Sequence, residues 1–277
     1  MDAATNSTPH VTGLYIYPVK GCRGLSLTES QVDELGLVHD RRFVITDETG
    51  KFLTQRQIAR MALIETRLTP DTLVLSANGS GSIEIPLART GEECTVTVWR
   101  DTILAGDQGN DAVRWLTSVL GQPCRLAKII PRTQRIIPAE RAASLPEKTG
   151  HPVSFADAFP FLLISEESLA DLNHRLDQPL AMNRFRPNIV VANAGTPFAE
   201  DTWTRFQIGA VIFYASGDCD RCVVTTTDQE TAQRGKEPLR TLAQYRRDSR
   251  GEVVFGQNLI HETKIGSLKL GDPVVLL

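Results

Sequence analysis

From Leu14 to Trp99 short apolar stretches alternate with polar turns: Leu14–Tyr17, Arg42–Thr46, Lys51–Thr54, Leu73–Leu75, Ile83–Ile85 and Thr95–Trp99. Apolar segments this short, at this spacing, predict β-strands of a small barrel or sandwich. Asp47–Gly50 and Asn78–Gly81 supply turn residues between them. The pattern then changes period. Val113, Leu116 and Leu120 fall on one face of a helix capped by Asn110 and stopped by Gly121, and Leu169, Leu172 and Leu176 do the same for a helix capped by Ser165. Glu166 and Glu167 suit the positive end of that second helix. Both apolar faces read as core.

Between the helices, Ile129 to Gly150 is rich in Pro, Arg and Glu and has little periodicity, as expected of a crossover. Beyond it the pattern predicts strands at Asn188–Val191 and Ala210–Tyr214, a helix opened by Pro238 and a last strand at Pro273–Leu277. The expected architecture is mixed α/β but mainly β. A length of 277 residues suits two units sharing an interface, 1–130 and 131–277.

Composition narrows the partners. With 41% hydrophobic residues the chain can bury a sizeable core, and a formal charge of −3 spread along the sequence gives no electrostatic footprint for nucleic acid or an anionic membrane. No apolar run approaches the roughly 20 residues of a membrane span, and the first residues lack the pattern of a secretory signal. The expected compartment is the cytoplasm and the expected partner a small molecule.

Three of the five cysteines are scattered singles, Cys22, Cys94 and Cys124; Cys219 and Cys222 form one close pair. This is no disulfide framework, so the pair reads as chemistry or metal. It follows a predicted strand and precedes the β-branched run Val223–Thr227, which places it on a loop where a soft thiolate can meet a metal. Arg221 between the two would favour thiolate over thiol. Three rivals stand beside this. Structural zinc needs four ligands, and the remaining cysteines and His39, His151, His174 and His261 show no second pair. A thioredoxin-like pair opens a helix, which the β-branched run disfavours. Two inert cysteines on a buried edge also fit, and spacing alone does not decide.

What the pair keeps company with does. Phe185–Val191, with Arg186, Pro187 and Asn188, and Cys219–Thr226 together resemble the MOSC domain, and the resemblance extends to Tyr17–Gly21, Leu37–Arg41, Pro152–Asp157, Ser165–Leu172, Lys236–Leu239 and Phe255–Asn258. It covers nearly the whole chain and resembles most the amidoxime-reducing components of mitochondria and their bacterial N-hydroxylamine-reducing relatives. The resemblance implies an N-terminal β-barrel domain over 1–130, a MOSC β-barrel domain with flanking helices over 131–277, and a molybdenum cofactor (Mo-molybdopterin) at their interface.

In that family the second cysteine of the Cys-x-Arg-Cys stretch is the metal ligand, which implies Cys222 as the catalytic and metal-binding residue and Cys219 as its neighbour. Cofactor contacts carry over to Lys20, Arg41, Arg186 and Asn188, and less directly to Arg56 and Ser165. An arginine fork and a lysine charge suit a pterin phosphate. Each also has an ordinary explanation: an ion pair for Arg41 and Arg186, a solvated side chain for Lys20, a turn or cap for Asn188, and the helix cap for Ser165. Ser154, Asp157, Thr225, Gln257 and Asn258 match motif positions outside this core set. Gly21 stands where many relatives have Ser.

The implied reaction is reduction of hydroxylamines, amidoximes or N-hydroxylated bases. Asp220 is a candidate proton source beside the cysteines. No Gly-x-Gly-x-x-Gly fingerprint follows a strand, and five cysteines with Cys222 committed leave no ordinary four-thiolate cluster. The chain ends without an iron–sulfur domain and carries no anchor, so electrons are expected from a separate donor protein, a flavin reductase, a ferredoxin-like or a haem protein. The rival function is a molybdenum-cofactor carrier or sulfur-transfer module without turnover of its own.

Overall fold

The computed structural model describes residues 8–142 and 144–277. It is mainly β, as the apolar pattern predicts. Its largest sheet has eight strands in the order Val274–Leu276, Arg205–Ile208, Val211–Asp220, Val254–His261, Phe161–Ser165, Ile189–Ala192, His10–Ile16 and Leu25–Leu27. Phe161–Ser165 is buried along its whole length, as a strand covered on both faces must be, and it pairs in parallel with Ile189–Ala192. Every other pairing in this sheet is antiparallel.

Three smaller sheets complete the fold. Phe43–Thr46, Arg125–Lys128, Asp101–Asp107 and Glu92–Val98 form one; Glu65–Leu68, Thr72–Ser76 and Ser82–Pro86 form a meander; Gly266–Lys269, Glu29–Asp33 and Gly36–Leu37 form the third. The two ends of the sequence are thus woven together. His10–Ile16 pairs with Ile189–Ala192, and Glu29–Asp33 with Gly266–Lys269. One core gathers Leu14, Ile16, Phe161, Phe206 and Phe213, and a second gathers Phe43, Ile45, Met61, Leu73 and Leu75. The helix Asn110–Leu120 covers the second core with Ala112, Leu116, Val119 and Leu120. Among the described residues no helix is long and apolar enough to cross a membrane.

Several local expectations change. The helix cap is Gly109, its N–H donated to Asp107, and Asn110 is already helical. Lys51–Thr54 is not a strand. Lys51 and Phe52 make only isolated bridges, because Thr54 is drawn into a turn in which the Gln57 side chain accepts from its amide and hydroxyl. The strand expected at Ala210–Tyr214 runs on to Asp220 through two register shifts against Val254–His261, with Gly217 at φ +100°, so Cys219 lies inside a strand. The stretch from Ile129 to Gly150 carries no helix or strand among its described residues beyond a single bridge at Ile136, yet Arg135, Ile137, Ala142 and Leu145 are buried in it.

Ser165 caps the helix Glu166–His174: its hydroxyl accepts from Ser168 N–H at 3.1 Å, and its own amide donates to Glu200 at 3.0 Å. Ser165→Ala should therefore lower the unfolding free energy by about 1 kcal/mol, the worth of such a cap. The check is a shift of the urea midpoint at unchanged slope; an unmoved midpoint would refute the cap's contribution.

Candidate functional site

The sulfur of Cys222 is half-buried, not in a disulfide, and meets a guanidinium from the other half of the chain: Arg56 Nη2 donates to Sγ at 3.2 Å. Arg56 reaches it because the Thr54–Gln57 turn leaves the sheet there, and because that turn is clamped. Gln55 and Gln229 exchange amide hydrogen bonds at 3.1 and 3.0 Å, Gln55 also donates to Gly21 O, and Arg234 donates to the carbonyls of Gln55 and Arg56. Cys222 is itself the cap of a single 3₁₀ turn, Val223–Thr226. A β-branched run is a poor helix former, but here the Thr225 and Thr226 hydroxyls donate back to the carbonyls of Cys222 and Val223 and close the turn.

Arg221 does not serve Cys222, contrary to the expectation from sequence. Its guanidinium contacts Cys219 Sγ at 3.0 Å and donates to Phe185 O at 2.6 Å. Residues 219 and 221 project to the same side of the extended backbone that ends the strand, whereas 222 begins the turn. Burial raises the Cys219 thiol above its ordinary value, with Arg221 opposing. Asp220, the candidate proton source, pairs with Arg250 at 2.7 Å on the surface.

From Arg56 the site continues through one line of contacts. The guanidinium lies 4.4 Å over the Trp99 ring; the Trp99 indole N–H donates to Asp157 at 3.0 Å; and Asp157 pairs with Lys20 at 2.6 Å. Lys20 is buried and also donates to Phe155 O at 2.7 Å. Burial pushes its ammonium down to about 8, against the pull of Asp157. Desolvation works against the Asp157 carboxylate, but Lys20 and Trp99 hold it well below the usual range. Arg135, which the sequence gave no reason to single out, fixes this loop: it donates to the carbonyls of Ser154, Ala156 and Asp157 and pairs with Asp101.

A second group adjoins through Phe155, whose amide donates to Arg41 O. Arg41 and Arg186 both lie over the Tyr17 ring, at 4.5 and 4.1 Å. Arg41 pairs with Asp40 and donates to Asn188 Oδ1 at 3.1 Å; Arg186 donates to Cys22 O at 2.7 Å. Burial lowers Arg186, and for Arg41 the Asp40 carboxylate more than offsets burial. Asn188 is fully buried, with its amide spent on Arg41, Leu162 N and Tyr15 O. Of the residues expected from sequence, Lys20, Arg41, Arg56, Arg186 and Cys222 are thus brought together, Asn188 stands behind them, and the contacts of Ser165 are all to its cap and to Glu200 and Ser168.

The donor set has a definite chemistry. Among the described residues no three His, Cys, Asp or Glu groups are placed to hold an ion, so a metal on Cys222 has to bring its other donors with it. Among the described residues Arg56 and Arg186 make no ion pair there, which leaves the surrounding cations only partly neutralised by Asp40 and Asp157. One cysteine sulfur beside surplus positive charge fits an anionic, metal-bearing cofactor such as Mo-molybdopterin.

Both halves of the chain match known domain families. Residues 8–123 match the MOSC N-terminal beta barrel domain and residues 150–275 the MOSC domain. Over 96% of this chain and 82% of theirs, it is 36% identical to mitochondrial amidoxime-reducing component 1 of Mus musculus and of Homo sapiens. It is 32% identical to the molybdenum cofactor sulfurase of Danio rerio over 96% of this chain and 34% of that protein. The chain belongs to the MOSC family, alongside the mitochondrial amidoxime-reducing components.

Proposed function

We propose that this chain is a molybdenum-cofactor oxidoreductase that reduces N-hydroxylated compounds, hydroxylamines, amidoximes and N-hydroxylated bases, with electrons from a separate donor protein. The observation that carries the reading is the free, half-buried Cys222 sulfur facing Arg56 at 3.2 Å within a cluster of cations. In this reading Cys222 supplies the protein's thiolate to the metal. Lys20, Arg41 and Arg186, with Arg56 nearer the sulfur, hold the anionic pterin phosphate. Asn188 fixes Arg41, and Arg135 fixes the loop that carries Asp157. The bound cofactor supplies the two-electron chemistry in which an N–OH bond is cleaved and, with two protons, amine or amidine and water leave. Asp157 is held ionised by Lys20 and serves as an anchor, not an acid. The likeness to the sulfurase supports a second reading, a cofactor carrier or sulfur-transfer module built on the same residues.

Turnover separates the two. Freshly purified protein should contain molybdenum and reduce an N-hydroxylamine with dithionite and a dye mediator, while NADPH alone should support none. Molybdenum without dye-driven turnover would favour the carrier, and turnover on NADPH alone would sink the separate donor.

Cys222→Ser should remove turnover and disturb the metal site, whereas Cys219→Ser should keep molybdenum and most of the rate, because Cys219 is engaged with Arg221. Equal loss in both variants points to a two-cysteine site.

Arg41→Ala or Arg186→Ala should lower molybdenum content about 10-fold or more, the worth of one charge-assisted hydrogen bond. Circular dichroism should report a folded protein in both. Unchanged metal content in both would rule out the phosphate role.

A further inference from the structure

We infer that Trp99 is a positioning residue whose indole is the platform that holds the Arg56 guanidinium against the Cys222 sulfur. The inference deepens the function proposed above and concerns a residue that its motifs do not include.

The case begins with a position where tryptophan is out of place. Val98 pairs with Asp101 across a two-residue hairpin, so Trp99 is the first of the two turn residues, and it sits at φ +58°. A positive φ there is the habit of Gly, Asn or Asp, and a bulky side chain adopts it only at a cost. Trp99 is also 42% exposed, so part of its ring is left out of the core. Strain at a solvent-facing turn points to a use outside the fold.

The use is visible in the contacts. Among the described residues Arg56 makes no ion pair. Beyond its bond to the sulfur, its guanidinium is held by stacking 4.4 Å over the Trp99 ring. The ring is in turn locked. Its N–H is fixed by Asp157 at 3.0 Å, Asp157 is fixed by Lys20, and Phe52 meets it edge-on at 4.9 Å and 61°. An unpaired arginine samples many rotamers; a fixed aromatic face holds its planar group without neutralising it. A carboxylate in that place would hold Arg56 as well but would cancel the charge offered to the sulfur and to an anionic cofactor. The line Cys222–Arg56–Trp99–Asp157–Lys20 is then one device for presenting a cation to the sulfur.

The test uses the full-length chain with Trp99→Gly, Trp99→Phe, Arg56→Ala and the Arg56→Ala/Trp99→Gly double variant. Trp99→Gly relieves the strained turn but gives up the Phe52 and Asp157 contacts, so circular dichroism should report a folded protein with a thermal midpoint near that of wild type. Its kcat per bound molybdenum in the dye-driven assay should nevertheless fall about 10-fold with KM little changed, and Trp99→Phe, which keeps an aromatic face, should recover most of the loss. The second readout needs no turnover. In chain produced without cofactor, the alkylation rate of Cys222 with iodoacetamide, followed by mass spectrometry, should change by the same factor in Trp99→Gly and Arg56→Ala, and the double variant should match either single within about 2-fold. Factors that multiply in the double variant, or wild-type kcat in Trp99→Gly, overturn the inference. If wild type binds no molybdenum or shows no turnover, the proposed reaction fails, and the alkylation cycle still decides the role of Trp99.

Discussion

The constraint on which the structure turns is the gathering of like charges. Lys20, Arg41, Arg56, Arg135 and Arg186 come together with three paired carboxylates, Asp40, Asp101 and Asp157, among them. Such a cluster is stable only if each donor finds an acceptor, and the fold supplies mostly neutral ones. Backbone carbonyls of Phe155, Cys22, Arg186, Ser154 and Ala156 accept from these side chains, and Tyr17 and Trp99 present ring faces. Carbonyls and rings satisfy hydrogen bonds and orientation without removing net charge. What remains is positive charge already desolvated and aimed, which is what a bound anion needs from a protein.

Holding the cluster strains the backbone. Arg41, Trp99 and Arg186 all adopt positive φ, at 50°, 58° and 57°. Each costs about 1–2 kcal/mol for a residue with a side chain. The interwoven topology sustains this. Pairing of His10–Ile16 with Ile189–Ala192 delivers Tyr17 and Arg186 to the same place, and the parallel pairing with Phe161–Ser165 sets Asn188 behind them. Neither half of the sequence builds the site alone. Arg56 and Trp99 come from one half, Cys222 and Asp157 from the other, and the Gln55–Gln229 exchange keeps them in register.

Local patterns in the sequence were enough to read the mainly β character, several strands, both long helices and the cap at Ser165, but not Phe161–Ser165, Arg205–Ile208 or Val254–His261 in the largest sheet. They failed where side chains compete with the backbone or where contacts are remote. Lys51–Thr54 reads as a strand until Gln57 captures Thr54, and Val223–Thr227 reads as non-helical until two threonine hydroxyls close a turn. Arg135 lies in a stretch without periodicity, and only the folded chain shows that it ties the Ser154–Asp157 loop. In the apolar pattern Trp99 reads as the end of the strand Thr95–Trp99, and only the pairing of Glu92–Val98 with Asp101–Asp107 makes it a turn residue. Its partner, 43 positions away in sequence at Arg56, was not legible.

The two neighbouring cysteines show how position in the chain separates chemically equal groups. Cys219 is the penultimate residue of a strand, so its direction is set by the sheet, and its thiol is occupied by the Arg221 guanidinium two residues on. Desolvation then favours its neutral form. Cys222 lies just past the strand, where the 3₁₀ turn takes over and its extended φ and ψ of −121° and 179° release it from the sheet. Its contact therefore comes from outside its own segment, across the joint between the two halves. Arg221 between the cysteines cannot serve both, and the fold assigns it to the one nearer in the pleat. The other sulfur is left to Arg56, so its environment is set by tertiary structure, where it can be tuned without altering the strand that carries it.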